Sequence, residues 1–419
     1  MRCLTMRVVG LDVHKKFVVA SIVEVSFLEK EDDKPDIMVR VVARRKFKRD
    51  WEDLDNLADF IRENGANKVV MESSGPYAHM VYYALEAIGL DVWMAHPRDN
   101  KPQNQIKTDM LDAERLAKKF VSGELRAYKL PSDPKLRSLR RLTRLRSKLV
   151  EKRAAIKNEI IMVLDEAGLD IKRAFSDLGK GASILIKGLL RGRSIEKIIQ
   201  SCPSLAKKKE EIERLMKQRG RIDTTMAFIL KSLLRLLREI DKHISSVEKQ
   251  IESVLSEFEE EVRLLTTIPG VGVQLAAVIL AEIGGISRFA SPKKLASYAG
   301  LVPAVYQSGG KTIYGKLRKD CNRRLRWAFY EAGLHAVRFS PRLRSFYERL
   351  ISRGKKHKQA IIAVGRKIAV GVWHILTKKV PWNENVKQGY KPRQRRLRKI
   401  SLDKAIDILR ELGYMLSIE

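Results

Sequence analysis

The chain has 419 residues and carries 83 Lys and Arg against 50 Asp and Glu, a formal net charge of +33. Its length exceeds the roughly 250 to 300 residues at which a single core stops growing, so two or three domains are expected, and 44% hydrophobic with 32% charged residues excludes wholesale disorder. The charge imbalance points to a polyanion, nucleic acid before membrane, and exceeds what adaptation to heat explains, since that enriches Lys, Arg and Glu together.

Residues 7–12 (RVVGLD), 16–25 and 36–43 are β-branched runs, with EDDKP at 31–35 as the turn between the last two, and they predict an antiparallel meander. A helix is expected from 50 to 64, with Trp51, Leu54, Leu57 and Ile61 on one face and Gly65 as its stop. A strand at 68–72, a helix at 77–89, a strand at 91–95 and a helix opening at Thr108 or Asp109 and running through Phe120 complete the order βββαβαβα. That is the order of a ribonuclease-H or RuvC-like α/β domain, placed at 1–129.

Leucines at 136, 139, 142, 145 and 149 and a second helical pattern over 210–265, broken near Gly220, assign 130–266 to helices. These form an antiparallel coiled-coil arm or two helices of a globular bundle. A mainly α C-terminal domain follows at 267–382. At 383–419 come a basic tail (KQGYKPRQRRLRK at 387–399) and a short amphipathic helix at 401–412.

No uninterrupted apolar run approaches the roughly 20 residues of a membrane-spanning helix, and the N-terminus runs straight into a strand pattern, so a cytoplasmic protein is expected. Cys3, Cys202 and Cys321 lie far apart without zinc-ligand spacing and read as reduced thiols.

Four acids stand out. Asp12 ends the first strand, Glu72 ends another before a glycine-containing turn, and Asp109 and Asp112 stand three apart on one face of a helix start. Each alone is also a good turn or capping residue. If the sheet gathers them, they form a hard-oxygen cluster suited to Mg²⁺ or Mn²⁺, because crowded carboxylates repel without a cation. Such a site serves phosphoryl displacement.

The IPGVG turn at 268–272 fits a helix-hairpin-helix element, in which Gly270 and Gly272 admit a phosphate to backbone N–H groups; a plain turn between packed helices needs no ligand. Downstream, Lys311, Lys316, Arg318, Lys319, Arg323 and Arg324 follow the serine of QSGG and are read as phosphate-neutralising, nucleic-acid-binding residues. Tyr298, Tyr306 and Tyr314 are candidates for stacking on bases, with some of them read as core or packing residues instead.

The segments GLDVHK, ESSGPY, TDMLDA, IPGVG, YAGLVP and QSGG closely resemble the DEDD transposases of the insertion-sequence one-ten family. The resemblance implies a RuvC-like domain joined to a C-terminal transposase domain. It implies that Asp12, Glu72, Asp109 and Asp112 are the metal-binding, catalytic carboxylates and that Ser308 is the nucleophile that attacks a DNA phosphate. It also implies DNA and a guide RNA as partners, a homo-oligomer and a nucleoid-associated protein of a prokaryotic cell. The segment 172–209 makes the chain longer than the resemblance leads one to expect. The rival readings are a RuvC-like nuclease or junction resolvase that uses water, and a non-catalytic nucleic-acid-binding protein.

Overall fold

The computed structural model describes residues 3–28, 36–73, 75–100, 108–125, 127–217, 222–308, 311–318 and 320–384. Three strands, β1 (Cys3–Val13), β2 (Phe17–Leu28) and β3 (Asp36–Lys48), form the expected meander, paired from Cys3 with Leu28 to Val13 with Val18 and bulged at Ile22/Val23. The EDDKP turn lies outside the described residues.

Helix α1 (Trp51–Glu63) starts where the Asp50 side chain accepts from the Asp53 amide, and it buries Leu54, Leu57, Ala58 and Ile61. Gly65, at φ +64, takes the left-handed conformation after it. Then come β4 (Lys68–Glu72), α2 (Pro76–Ala87), β5 (Asp91–Ala95), α3 (Asp109–Val121) and β6 (Ala127–Tyr128). β4 runs parallel to β1 and to β5, β6 runs antiparallel to β5, and the sheet order is β3-β2-β1-β4-β5-β6. This mixed sheet is what a ribonuclease-H-like domain requires. Alternate β1 and β4 residues enter different cores: Val9, Leu11, Val69 and Met71 pack with α1 and α2, whereas Val8 and Val70 pack with Leu116 and Ala117 of α3.

Gly10 explains why α3 lies over β1. A Cβ there would sit 1.9 Å from the Ala113 carbonyl oxygen, so only glycine admits this crossing. The crossing brings the first turn of α3 to the end of β1.

Next come α4 (Pro134–Glu166), α5 (Lys180–Leu190), α6 (Ile195–Ser201), α7 (Lys209–Lys217) and α8 (Thr224–Leu255). α4 and α8 are antiparallel, as the pairs Arg146–Glu248 (2.7 Å) and Arg153–Asp241 (3.4 Å) show. At their far end Ile156, Ile160 and Leu164 of α4 and Leu230, Leu234 and Leu237 of α8 share one core with Leu185, Ile198 and Ile212 from α5, α6 and α7. The extra segment 172–209 is therefore part of a packed helical tip. The second helical pattern, expected over 210–265, is divided among α7, α8 and α9 (Glu259–Thr266); Gly220 lies outside the described residues.

The last portion holds α10 (Val273–Ile283), α11 (Pro292–Tyr298), the strands β7 (Pro303–Ser308) and β8 (Lys311–Leu317), then α12 (Arg323–Phe339), α13 (Pro341–Ser352) and α14 (His357–Lys378). The β7–β8 hairpin interrupts a region whose pattern reads as helical. Gly365 of α14 crosses α12 so closely that a Cβ would lie 2.5 Å from the Phe329 carbonyl oxygen. Among the described residues α14 is the helix long and apolar enough to cross a membrane. It buries Ala360, Ile361, Val364, Ile368, Ala369 and Val372 in the protein interior. The basic tract 387–399 and the segment 401–412 lie outside the described residues.

Candidate active site

Asp12 stands one residue before the end of β1, and Asp109 and Asp112 stand in the first turn of α3, which Thr108 caps by accepting from the Leu111 amide. Acids in a first turn favour the helix dipole, and the glycine crossing carries that turn to Asp12. His14 then joins the two elements. Its Nε2 lies 3.0 Å from Asp12 Oδ2 and 3.4 Å from Asp109 Oδ1, and its ring packs against Phe17 with centroids 4.5 Å apart. One ligand atom from each of Asp12, His14 and Asp109 falls within a 4.8 Å span.

Burial raises the Asp12 carboxyl above the ordinary aspartate value; His14 pulls it down, while the charges of Asp109 and Asp112 add to the rise. Asp112 is therefore close enough to act on Asp12 electrostatically. Its own carboxylate pairs with Arg115 at 2.8 Å, one turn along α3, in a largely shielded position.

Glu72 ends β4, beside β1 in the sheet. Asn100, buried at 4% exposure, donates from Nδ2 to Glu72 Oε2 at 3.2 Å, while its main-chain carbonyl accepts from Arg115 at 3.2 Å. A chain of contacts thus runs Glu72, Asn100, Arg115, Asp112. Asp12 and Asp109 meet through His14, whereas Glu72 and Asp112 fall outside that group and are linked to each other through Asn100 and Arg115. The Asp12, His14 and Asp109 group, two carboxylates and one imidazole, is consistent with a divalent cation.

His14, Asn100 and Arg115 were missed by sequence reasoning. For His14 a signal existed, since Asp-x-His at the end of a strand sets both side chains on one face. Arg115 carried one as well, its i,i+3 interval from Asp112 on a helix; Asn100 carried none.

Ser308 is the last residue of β7 and pairs in register with Lys311 of β8, in a sheet separate from the one that carries the acids. The side chains of Ser308, Lys311, Tyr306 and Tyr314, and Lys319 as a whole, lie outside the described residues. Lys316 is exposed. Arg318 pairs with Asp320 at 2.7 Å. Arg323 and Arg324 occupy the first turn of α12, where no acid accompanies them; cations there oppose the helix dipole, so the turn attracts an anion.

The two glycines of the IPGVG turn have different surroundings. Gly270, at φ +83, would place a Cβ 2.6 Å from the Ala336 amide of α12, so its lack of a side chain serves helix packing. Gly272 is the N-cap of α10 and has nothing within 4 Å of where a Cβ would stand. The turn joins α9 to α10.

Beneath this region lies a polar node the sequence reading did not find. Glu282 is fully buried near the end of α10; it accepts from Arg140 Nε (2.8 Å) and Arg144 Nε (2.7 Å) of α4 and from Asn322 Nδ2 (2.7 Å), the N-cap of α12. Tyr298 joins through its hydroxyl, which accepts from Arg140 at 2.9 Å, and so it is a packing residue. Burial alone would raise the Glu282 pKa, but the Arg144 hydrogen bond and the charges of Arg140 and Arg144 lower it to about 2. An acid in the otherwise apolar stretch AAVILAEIG was the available clue.

Comparisons with known proteins meet this geometry at both ends of the chain. A model for IS110-type DEDD transposases matches residues 9–168, and a model described as Transposase IS116/IS110/IS902 family matches residues 262–348. An uncharacterized protein of insertion element IS110 from Streptomyces coelicolor is 34% identical over 34% of this chain and 35% of its own. The chain thus spans about a third of that relative's length. The transposase for insertion sequence element IS1111A of Coxiella burnetii is 24% identical over 74% of this chain and 78% of its own. A pilin gene-inverting protein of Moraxella bovis is 30% identical over 44% of this chain and 59% of its own.

Proposed function

The chain belongs to the IS110 family of DEDD transposases, and from that premise we propose that it cuts and rejoins DNA as a transposase or site-specific recombinase, with Asp12, Glu72, Asp109 and Asp112 holding divalent metal and Ser308 as nucleophile. The observation that carries the reading is the meeting of Asp12 and Asp109, 97 residues apart in sequence, on one histidine. Mg²⁺ or Mn²⁺ bound by the acids would supply electrostatic stabilisation to a phosphoryl group in transit.

The protein's own residues do the rest. His14 contacts Asp12 and Asp109, Arg115 pairs with Asp112, and Asn100 donates to Glu72, so each helps to hold a carboxylate in place. In the serine step the Ser308 hydroxyl oxygen forms a bond to phosphorus, one deoxyribose oxygen leaves with the bonding pair and takes a proton, and a DNA phosphoserine diester results. Attack by the freed deoxyribose hydroxyl of another strand reverses these bonds and restores the serine. Because hairpin and acids stand in different sheets, this chemistry requires the two parts to close on one DNA, within a subunit or between copies of a homo-oligomer.

Gly272 at the start of α10, in a helix-hairpin-helix role, and the cations Lys311, Lys316, Lys319, Arg323 and Arg324 would position DNA through phosphates. The α4–α8 pair offers a basic surface for a guide RNA, as the family resemblance suggests. One rival, a nuclease that uses water, needs the acids and not the serine.

One incubation separates these readings: purified protein, an element end, RNA and Mg²⁺. A covalent protein–DNA adduct that Ser308→Ala abolishes supports the recombinase. Hydrolysed ends without an adduct, unaffected by Ser308→Ala, remove the serine from the mechanism.

A further inference from the structure

Asp109 and Asp112 leave the same first turn of α3 and meet different partners. The Asp109 side chain is 47% exposed and meets His14, which also meets Asp12. The Asp112 side chain is 13% exposed and meets a guanidinium: Arg115 Nη2 lies 2.8 Å from its Oδ1, and Arg115 is itself only 12% exposed. Through Nη1 the same guanidinium donates to the Asn100 carbonyl, and the Asn100 amide donates to Glu72. The four acids thus fall into two halves, one gathered on a histidine and one joined through an arginine.

The arginine half is shielded and its oxygens are under-supplied. The turn at 97–100 is docked on α3 by two cations one helical turn apart, Arg115 on the Asn100 carbonyl and Lys119 on the Asp99 carbonyl at 3.0 Å. Yet among the described residues the contact between Arg115 and Asp112 is one of charge, because neither Asp112 Oδ1 nor Asn100 Oδ1, both buried, receives an aligned hydrogen bond. Shielded oxygens without a donor are the ligands that a hard cation takes. A buried ion pair whose lone pairs stay unsatisfied repays little of its desolvation cost. A divalent ion reaching the same carboxylate attracts it more strongly than a single positive charge does, and a guanidinium left beside that ion repels it.

We propose that Arg115 is the resident counter-cation of the Glu72 and Asp112 half of the site: it neutralises Asp112 in this structure, and a divalent ion that uses Asp112 binds in competition with it. This rests on the reading that the four acids hold divalent metal. It gives Arg115 an effect of opposite sign to that of an orienting partner. Loss of an orienting partner loosens metal binding, by about 10- to 100-fold, whereas loss of a competing cation tightens it.

The test is Mn²⁺ titration calorimetry on the full chain freed of nucleic acid, together with thermal unfolding with and without Mn²⁺. The variants are Arg115→Gln and Arg115→Lys. Lys118→Gln is the comparator, since Lys118 stands on the same helix and pairs at 2.6 Å with Glu114 rather than with an acid of the site. Arg115→Gln should bind Mn²⁺ about tenfold more tightly than wild type, with a lower metal-free Tm and a larger rise in Tm on adding Mn²⁺. Arg115→Lys, which keeps the charge, and Lys118→Gln, which removes a charge already paired elsewhere, should each stay within about threefold of wild type. Looser binding in both Arg115 variants overturns the competition and makes Arg115 an orienting residue. Equal tightening in Lys118→Gln also overturns it, because any charge on α3 would then serve. If Arg115→Gln does not fold, Arg115→Lys decides: wild-type affinity supports the competition, and a loss of about tenfold or more overturns it. Each of these failures leaves the metal reading standing. A wild-type chain that takes up no Mn²⁺, or whose affinity survives Asp12→Asn unchanged, overturns the metal reading and this inference with it.

Discussion

The buried amide of Asn100 donates to Glu72 Oε2 at 3.2 Å, and the same residue's carbonyl accepts from Arg115, which holds Asp112. One asparagine therefore sets the position of two of the four acids from behind. Partners of metal-binding side chains typically contribute about 10- to 100-fold to metal affinity. Asn100→Ala is expected to weaken Mn²⁺ binding within that range in calorimetry and to leave the far-ultraviolet circular dichroism unchanged. Unaltered Mn²⁺ affinity would place Asn100 outside the site.

Metal should also stabilise the fold through the acids. A ligand bound only by the native state adds about 2.7 kcal/mol at a hundredfold excess over its Kd. Mg²⁺ or Mn²⁺ should raise the wild-type Tm, and Asp12→Asn should abolish the increase. An equal rise in Asp12→Asn would show that the ion binds elsewhere.

The Glu282 node predicts acid sensitivity with a definite sign. Its pKa is lowered from the ordinary 4.5 to about 2, so its contribution to stability is present above 4.5 and is lost as pH falls toward 2. Glu282→Ala leaves Arg140 buried without its counter-ion and should cost about 3 to 5 kcal/mol. Urea unfolding from neutral to acid pH should show the wild type converging on the variant as Glu282 protonates. Parallel curves over the whole range would refute the assignment.

Gly270→Ala should destabilise by about 2 to 4 kcal/mol, because a left-handed φ of +83 and a Cβ 2.6 Å from the Ala336 amide act together. Gly272→Ala, with open space around it, should leave Tm within about 1 °C of wild type. Its effect should fall on DNA affinity instead, measured by anisotropy.

The N-terminal sheet was legible because its strands are short apolar runs with turn residues between them and its helices bury Leu54, Leu57 and Ile61 at helical spacing. β6 escaped notice because two residues carry no period. The β7–β8 hairpin escaped because QSGGKTIYGK mixes strand formers with glycine and cations. The places of the acids in the fold could be read because strand ends and a helix start are local features. His14 could have been read with them, and so could Arg115, three residues after Asp112 on one helix; Asn100 acts through a contact that only the folded chain creates.

The Glu282 node has a mechanical consequence. α4 contains 33 residues, about 50 Å of stiff rod, and its base is bolted by Arg140 and Arg144 to the carboxylate that also grips Asn322. That asparagine opens the helix following the Ser308 hairpin. A load applied at the remote tip, where α5, α6 and α7 cap the rod, acts as torque about this fulcrum and reaches the hairpin's exit with the leverage of the whole rod.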